Sequence, residues 1–211
     1  MADNYPVNLT VDYPDRNLNR LTSFFRIFVA IPILIVLSLL VADSIGSGGS
    51  SSSGSGAGAW ATGIGFTFLP LILMLLFRRK YPRWWYDWNF NLASFFYRVD
   101  AYLYLMTDVY PSTDEEQTVH IELPYPDATG LNRWLPLVKW FLAIPHIIVL
   151  IFLGIAVIFV TIIAWFAILF TGRYPRSLFD FVAGFMRWNL RVVAYALVLV
   201  TDKYPPFSLD A

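Results

Sequence analysis

The sequence predicts a mainly α-helical integral membrane protein that is built from two parallel repeats. Three observations predict this class: the composition is too apolar for a soluble domain, the chain resembles itself in two halves, and its cations avoid the middle of every long apolar segment. Each repeat is expected to contain a strand, a transmembrane helical hairpin and an amphipathic interfacial helix. A small cytoplasmic β element is expected to join the two repeats.

The composition limits the class of protein, its partners and its chemistry. The chain has 211 residues, of which 57% are hydrophobic and 14% are charged, and its mean hydropathy is +0.57. A soluble domain has about 25% charged residues, so this chain is expected in a membrane. The formal net charge is zero and no basic patch is present, so nucleic acid is not an expected partner. The absence of cysteine excludes disulfides, thiolate catalysis and cysteine-bound metals.

Internal self-similarity is the strongest signal in the sequence. The first and third quarters of the chain share YPD, LNR and AIP in the same order, with a cation six residues before each AIP proline, Arg26 and Lys139. The second and fourth quarters share YPR, a following aspartate, R-V-x-A-Y and T-D-x-Y-P. So many shared motifs in one order indicate an internal duplication.

A glycine-serine run, ADSIGSGGSSSSGSGAGAW, interrupts the first repeat. The LNR and AIP motifs are 113 residues apart in the two halves, whereas YPR and R-V-x-A-Y are 93 apart. The first repeat therefore carries 20 extra residues, and the run of 19 accounts for nearly all of them as an insertion. The expected domains are repeat one at 1–111, with a hairpin over about 21–77 and a Gly/Ser tip at 42–59, a junction at 112–118, and repeat two at 119–211, with a hairpin over about 134–171.

The hairpins and the cations predict a topology. The uncharged segment from Trp140 to Gly172 would also fit one long span, since about 20 residues cross a bilayer. A hairpin with a turn near Gly154 is preferred, because the glycine-serine run in the equivalent region of repeat one cannot leave its peptide groups unsatisfied in hydrocarbon. A partly re-entrant hairpin is the alternative. None of the 15 lysines and arginines lies near either hairpin tip; Arg26 and Lys139 lie in the first six residues of their hairpins, and the others lie before or after them. This distribution predicts a multi-pass protein with both termini cytoplasmic.

The cytoplasmic parts are predicted from periodicity. Alternating apolar and polar residues after Val7 and after Val119 predict one half-buried strand in each repeat. The T-D-x-Y-P segments are expected to join these strands in one sheet. An amphipathic helix is expected after the first hairpin, with an apolar face of Trp85, Trp88, Leu92, Phe95, Phe96, Val99, Tyr102 and Met106, and a polar face of Asp87, Asn91, Ser94 and Arg98.

The recurring charged residues are the main candidates for a site. In one interpretation they bind anionic lipid headgroups or an anionic ligand. In the other they form ion pairs, also with Asp108 and Asp202, that hold the interfacial helix on the hairpin. The second is preferred, because both copies must fold whereas only one need be active. The candidates are Arg20, Arg26, Arg83, Arg98, Arg133, Lys139, Arg176, Arg191, Asp87 and Asp180.

The chain has two histidines. His146 is the intramembrane polar candidate, because ionisable residues inside membranes are often functional; the alternative is that it caps a proline kink or lies near the headgroups. His120 lies beside Glu122 without a third ligand, so a surface pair is expected there and no metal site. No residue is predicted to be catalytic and no cofactor is expected.

The motifs N-R, R-x5-P at AIP(H), [KR]-Y-P-R, R-V-x-A-Y and T-D-x-Y-P-P-F resemble the bacterial integral membrane family known only as domain of unknown function forty-three eighty-nine. Repeat two is the closer match, with NRW, AIPH, GRYP, RVVAY and TDKYPPF in order. Repeat one departs at the insertion, at Ile33 and at Ser112. The resemblance implies a fold of short helices in the bacterial cytoplasmic (inner) membrane, and no activity.

The function expected from the sequence is that of a non-enzymatic scaffold or accessory subunit of a membrane complex. Its expected partners are membrane lipids and other membrane-protein subunits, or a second copy of itself. A channel or a transporter of lipid or small solutes is the alternative, suggested by the parallel repeat. A lipid-acting enzyme with His146 as its base is the third hypothesis.

Overall fold

The structure is a computed structural model that describes residues 5–14, 18–43, 81–112, 117–126 and 134–210. The described residues form a mainly helical fold. Its elements are β1 (Asn8–Val11), α1 (Arg20–Asp43), α2 (Arg83–Leu103), β2 (Val119–Glu122), α3 (Leu135–Thr171) and α4 (Arg176–Ala196). The Gly/Ser tip at 42–59, apart from its first two residues, and the second arm of the first predicted hairpin lie outside the described residues.

The two strands pair with each other as an antiparallel ladder. Asn8 pairs with Glu122, Leu9 with Ile121 and Val11 with Val119. The two T-D-x-Y-P segments are not part of this sheet, so their predicted place in it is wrong. Each segment ends in a proline, which has no N–H to donate to a β ladder, and its aspartate binds a helix cation as described below.

The predicted turn near Gly154 is also wrong. α3 is one continuous helix of 37 residues, and its backbone groups are satisfied within the helix without a turn. At about 1.5 Å per residue it is roughly 55 Å long, longer than the ~30 Å hydrocarbon core of a bilayer. With a mean hydropathy of 3.3 over its most apolar 18 residues, α3 is long and apolar enough to cross a membrane.

The two faces of α3 have different surroundings. Its buried residues recur at intervals of three, four and seven along the whole helix, which is the spacing of one helical face in contact with partner helices. They are Pro136, Lys139, Ala143, His146, Leu150, Val157, Ala164 and Ile168. The opposite face exposes large apolar side chains along the same length, from Leu137 to Phe170. We call this surface the outer face of α3.

The other helices form layers against α3. α4 packs between α3 and β1, whereas α2 contacts β2 and α1, and α1 also contacts α3. α2 and α4 each begin directly after the proline of a YPR motif, whose fixed φ near −65° suits a helix start. α2 buries Phe95 and Val99 but leaves Trp88 exposed, so Trp88 is not on a buried face.

Gly154 tests the continuity of α3, and Gly184 in α4 serves as a comparison. A methyl group at Gly154 would meet the Phe185 ring at an ordinary 3.7 Å, whereas one at Gly184 in α4 would lie 2.9 Å from Leu209. Gly154→Ala should therefore stabilise the fold by about 0.5–1 kcal/mol through helix propensity, and Gly184→Ala should destabilise it. The free energy of unfolding in detergent measures both. A destabilising Gly154→Ala would instead indicate a turn.

Candidate functional site

Arg26 is the buried cation of α1. It is only 3% exposed, and it forms an ion pair with Asp108. Its Nη1 also donates a hydrogen bond to the Tyr102 carbonyl oxygen at 2.9 Å, and its guanidinium lies 4.5 Å from the centre of the Tyr102 ring. The cation therefore has a carboxylate, a carbonyl and an aromatic face as partners, which offset the cost of its burial.

Lys139 has the same kind of partners in α3. Its Nζ lies 2.7 Å from the Asp202 carboxylate and donates to the Thr201 carbonyl oxygen at 2.8 Å. The ammonium also lies 5.0 Å from the centre of the Tyr195 ring. We call these two groups the Arg26 cluster and the Lys139 cluster.

The two clusters are built from the same motif positions. In each, the cation lies six residues before an AIP proline, the carboxylate belongs to T-D-x-Y-P and the ring is the last residue of R-V-x-A-Y. In each, a leucine with positive φ turns the chain before the T-D motif: Leu105 at 64° and Leu199 at 57°. Leucine rarely adopts this left-handed conformation, so both turns hold strained backbone that brings the aspartate to its cation.

The YPD and YPR motifs contact each other across the two halves. Tyr13 donates to the Tyr174 carbonyl oxygen, and Tyr125 donates to the Tyr81 carbonyl oxygen, each at 2.5 Å. The YPR arginines lie on the same rings: Arg176 is 5.1 Å from the centre of Tyr13 and Arg83 is 5.6 Å from that of Tyr125. Each motif pair thus connects one half of the chain to the other.

The remaining charged candidates do not join one site. Arg98 donates to the Ser112 carbonyl oxygen at 2.9 Å, and buried Arg191 lies 5.8 Å from the centre of the Tyr5 ring. Asp87, Asp180 and Arg20 are exposed; neither of these aspartates forms an ion pair with a described residue. Arg133 lies outside the described residues.

His146 lies in an aromatic box between α3, α4 and the C-terminal segment. Its ring is fully buried, stacks on Phe207 at 3.9 Å and lies 4.8 Å from the Tyr204 ring. The Trp188 indole donates to His146 Nδ1 at 3.1 Å. Because an indole N–H can only donate, Nδ1 carries no proton, and the neutral ring has its proton on Nε2. The nitrogen that could act as a base is therefore occupied.

The first half of the chain has an apolar counterpart of the His146–Trp188 pair. Ile33 and Phe95 occupy the positions that correspond to His146 and Trp188, and both belong to one buried cluster with Ala30, Val99 and Tyr102. The polar partners are thus replaced together, and neither half keeps only one of them.

His120 forms its surface pair with Asp12 and not with the expected Glu122. His120 Nε2 lies 3.1 Å from the Asp12 carboxylate, and both side chains are more than half exposed. Among the described residues no group of three or more potential ligands of the His, Cys, Asp or Glu type comes together.

The sequence did not single out Asp100, a half-buried carboxylate of α2. Desolvation by burial raises the pKa of Asp100 to about 7, so this group takes up a proton near neutral pH. Its position three residues after Tyr97, which donates to Asn189 at 2.7 Å, places it near the contact of α2 with α4. No periodicity signal distinguishes such a residue from an ordinary surface aspartate.

The His146–Trp188 pair can be tested by exchange with its counterpart. His146→Ile alone should destabilise the protein by roughly 1–3 kcal/mol, because the buried Trp188 N–H loses its acceptor. Adding Trp188→Phe should recover part of that loss, since the double variant reproduces the Ile33–Phe95 pair. Thermal unfolding in detergent measures the series. Losses that simply add in the double variant would contradict a coupled pair.

Comparison with known families gives one match. Residues 134–208, which contain α3, α4 and most of the C-terminal segment, match the model of the family described as Domain of unknown function (DUF4389). This match confirms the resemblance for that part of the chain. No curated protein and no solved structure matches the chain. Residues 134–208 are thus identified as a Domain of unknown function (DUF4389).

Proposed function

We propose that this protein is a multi-pass membrane scaffold, an accessory subunit whose helices α1 and α3 contact lipid and whose remaining elements present a surface to other membrane-protein subunits. The observation that carries the membrane part is the one-sided burial of α3. One face packs against the rest of the protein along the whole helix, and the outer face exposes isoleucines, phenylalanines and leucines without a charge.

The outer face is costly in water. Each large aliphatic or aromatic side chain is stabilised by roughly 1.5–3 kcal/mol when it leaves water, and patches of this extent mark contact with a membrane or a partner. Exposed Trp134 lies just before the helix start, in the position that tryptophan favours at a membrane surface. Lipid contact along the outer face accounts for both the exposed apolar side chains and the position of Trp134.

A duplicated architecture is part of the proposal. The Arg26 and Lys139 clusters use equivalent positions, and the tyrosines of YPD are exchanged between the halves. The ladder of β1 and β2 also pairs Leu9 with Ile121, the third residue of each repeated strand counted from Val7 and Val119. These contacts support two like units related by a twofold axis.

The buried polar groups favour a scaffold over a transporter or an enzyme. A transport path needs polar groups that face a cavity, but Lys139 and His146, the two ionisable residues of α3, are engaged by Asp202 and Trp188. The His146 ring is also stacked on Phe207, so a substrate has no access to it. These contacts support structural roles for the two residues.

The N-terminal part of α2 is the surface proposed to meet a partner subunit. It exposes Trp84 and Trp88 together with Arg83 and Asp87. Tryptophan and arginine are enriched among the residues that contribute most to protein interfaces. Trp84 and Trp134 are both 67% exposed, so Trp134 is a matched control for Trp84.

The proposal is tested on the full chain at native expression. It should stay in membranes after alkaline carbonate washing, and native mass spectrometry of the detergent extract should find it in a complex of fixed stoichiometry. Trp84→Ala should reduce the complex at least about tenfold, the loss of ~1.4 kcal/mol, whereas Trp134→Ala should not. A lone monomer would contradict the scaffold role, and release by carbonate would contradict membrane embedding.

A further inference from the structure

A cavity of about 400 Å³ lies between α1, α3 and the C-terminal end of α2. Its walls are mostly apolar and include Ile162, Trp165 and Phe166 of α3. The Trp165 indole donates to the Ser23 carbonyl oxygen at 3.1 Å, which fixes α3 against α1 at this point. The volume is within the ~300–1,000 Å³ range of small-molecule sites.

Two polar groups at the cavity have no hydrogen-bond partner among the described residues. They are Ser23 Oγ and Arg26 Nε. Both residues line the cavity, and both are at least nine-tenths buried, at 2% and 3% exposure. Leaving a buried donor unsatisfied costs about 1–3 kcal/mol. A ligand whose oxygen accepts from these donors would recover part of that free energy on binding.

The charge of the site restricts that ligand. Asp108 already neutralises Arg26, so a second anion would gain little from the guanidinium and would face a carboxylate. The free groups are an N–H donor and a hydroxyl. An uncharged carbonyl oxygen is therefore the better match, and the apolar walls call for a hydrocarbon chain beside it.

The position of the cavity points to the source of such a ligand. Arg26 lies six residues into α1, about 9 Å from the helix start at 1.5 Å per residue. In a bilayer the polar layer on each side is roughly 5–8 Å thick. With the start of α1 at the membrane surface, as the proposed membrane location implies, Arg26 lies where the headgroup layer meets the hydrocarbon. The acyl ester groups of lipids lie at that boundary.

We propose that this cavity binds the acyl ester region of a membrane glycerolipid. The ester carbonyl accepts from Arg26 Nε and Ser23 Oγ, and the acyl chain lies against Ile162, Trp165 and Phe166. The inference rests on the proposed membrane location but goes beyond the scaffold role, because it assigns a specific lipid site to one groove.

The test uses full-length protein in vesicles of phosphatidylcholine that carries a photoreactive diazirine near the carboxyl end of one acyl chain. Labelled peptides are mapped by mass spectrometry. Fragment ions of those peptides should place the label on Ile162, Trp165 or Phe166, which line the cavity, and not on the exposed Ile163. Ile162→Trp, which fills the cavity, should lower labelling there at least about threefold, whereas Ile163→Trp, at a neighbouring exposed position outside the cavity, should not.

A separate variant tests the proposed hydrogen bond from Ser23 Oγ to the ester carbonyl. Ser23→Ala should reduce labelling about fivefold, the effect of one net hydrogen bond, without lowering the thermal stability of the protein. Ser38→Ala is the control on the same helix, since the Ser38 hydroxyl is exposed and donates to Ile35. Equal labelling by phosphatidylglycerol vesicles would support ester recognition, and a preference for that anionic lipid would contradict it.

Other outcomes separate the two proposals. Label on exposed residues of α3 away from the cavity, such as Phe141 and Phe152, with none at Ile162, Trp165 or Phe166, would overturn the lipid site and leave the membrane location intact. No label anywhere would overturn both. The chain has no cysteine, so single cysteines at Ile162 and within residues 60–77 can be paired; a disulfide between them would show that the chain itself fills the cavity and would overturn the lipid site.

Discussion

Each of the two long apolar helices that the structure describes, α1 and α3, contains one buried cation, and the contacts around it neutralise its charge. An unpaired charge in an apolar interior is destabilising by several kcal/mol. Arg26 and Lys139 avoid this cost only because the chain returns after α2 and α4 and places Asp108 and Asp202 beside them. The positive φ of Leu105 and Leu199 is the strain that this return requires.

The buried face of α3 combines apolar packing with two polar contacts, whereas its outer face exposes apolar side chains. Lys139 and His146 lie on the buried stripe, where α4 and the C-terminal segment supply Asp202, Trp188 and Phe207. The polar contacts of Lys139 and His146 are thus made on the buried face of α3. The outer face is the surface that the proposed function assigns to lipid.

The helical class, the two strands and the pairing of Arg26 and Lys139 with aspartates could be predicted from the sequence, because each follows from periodicity or from repeated motifs. The turn predicted at Gly154 is wrong because a glycine-serine insertion in one repeat does not require a turn in the other. An uninterrupted helix satisfies its own backbone at Gly154. Tyr102, Tyr195 and Trp188 could not be assigned roles in advance. Their contacts depend on how helices distant in sequence pack, and helix periodicity alone does not carry that information.

The central claim is that the Arg26 and Lys139 clusters are equivalent anchors, and a double-mutant cycle tests it most directly. Lys139→Met, Asp202→Asn and their double variant would be compared by free energy of unfolding in detergent, with Arg26→Met and Asp108→Asn as the matching cycle. We expect each single change to cost about 3–5 kcal/mol, with a coupling energy of at least ~2 kcal/mol in both cycles. Coupling below ~0.5 kcal/mol, a level typical of exposed surface ion pairs, would contradict the account.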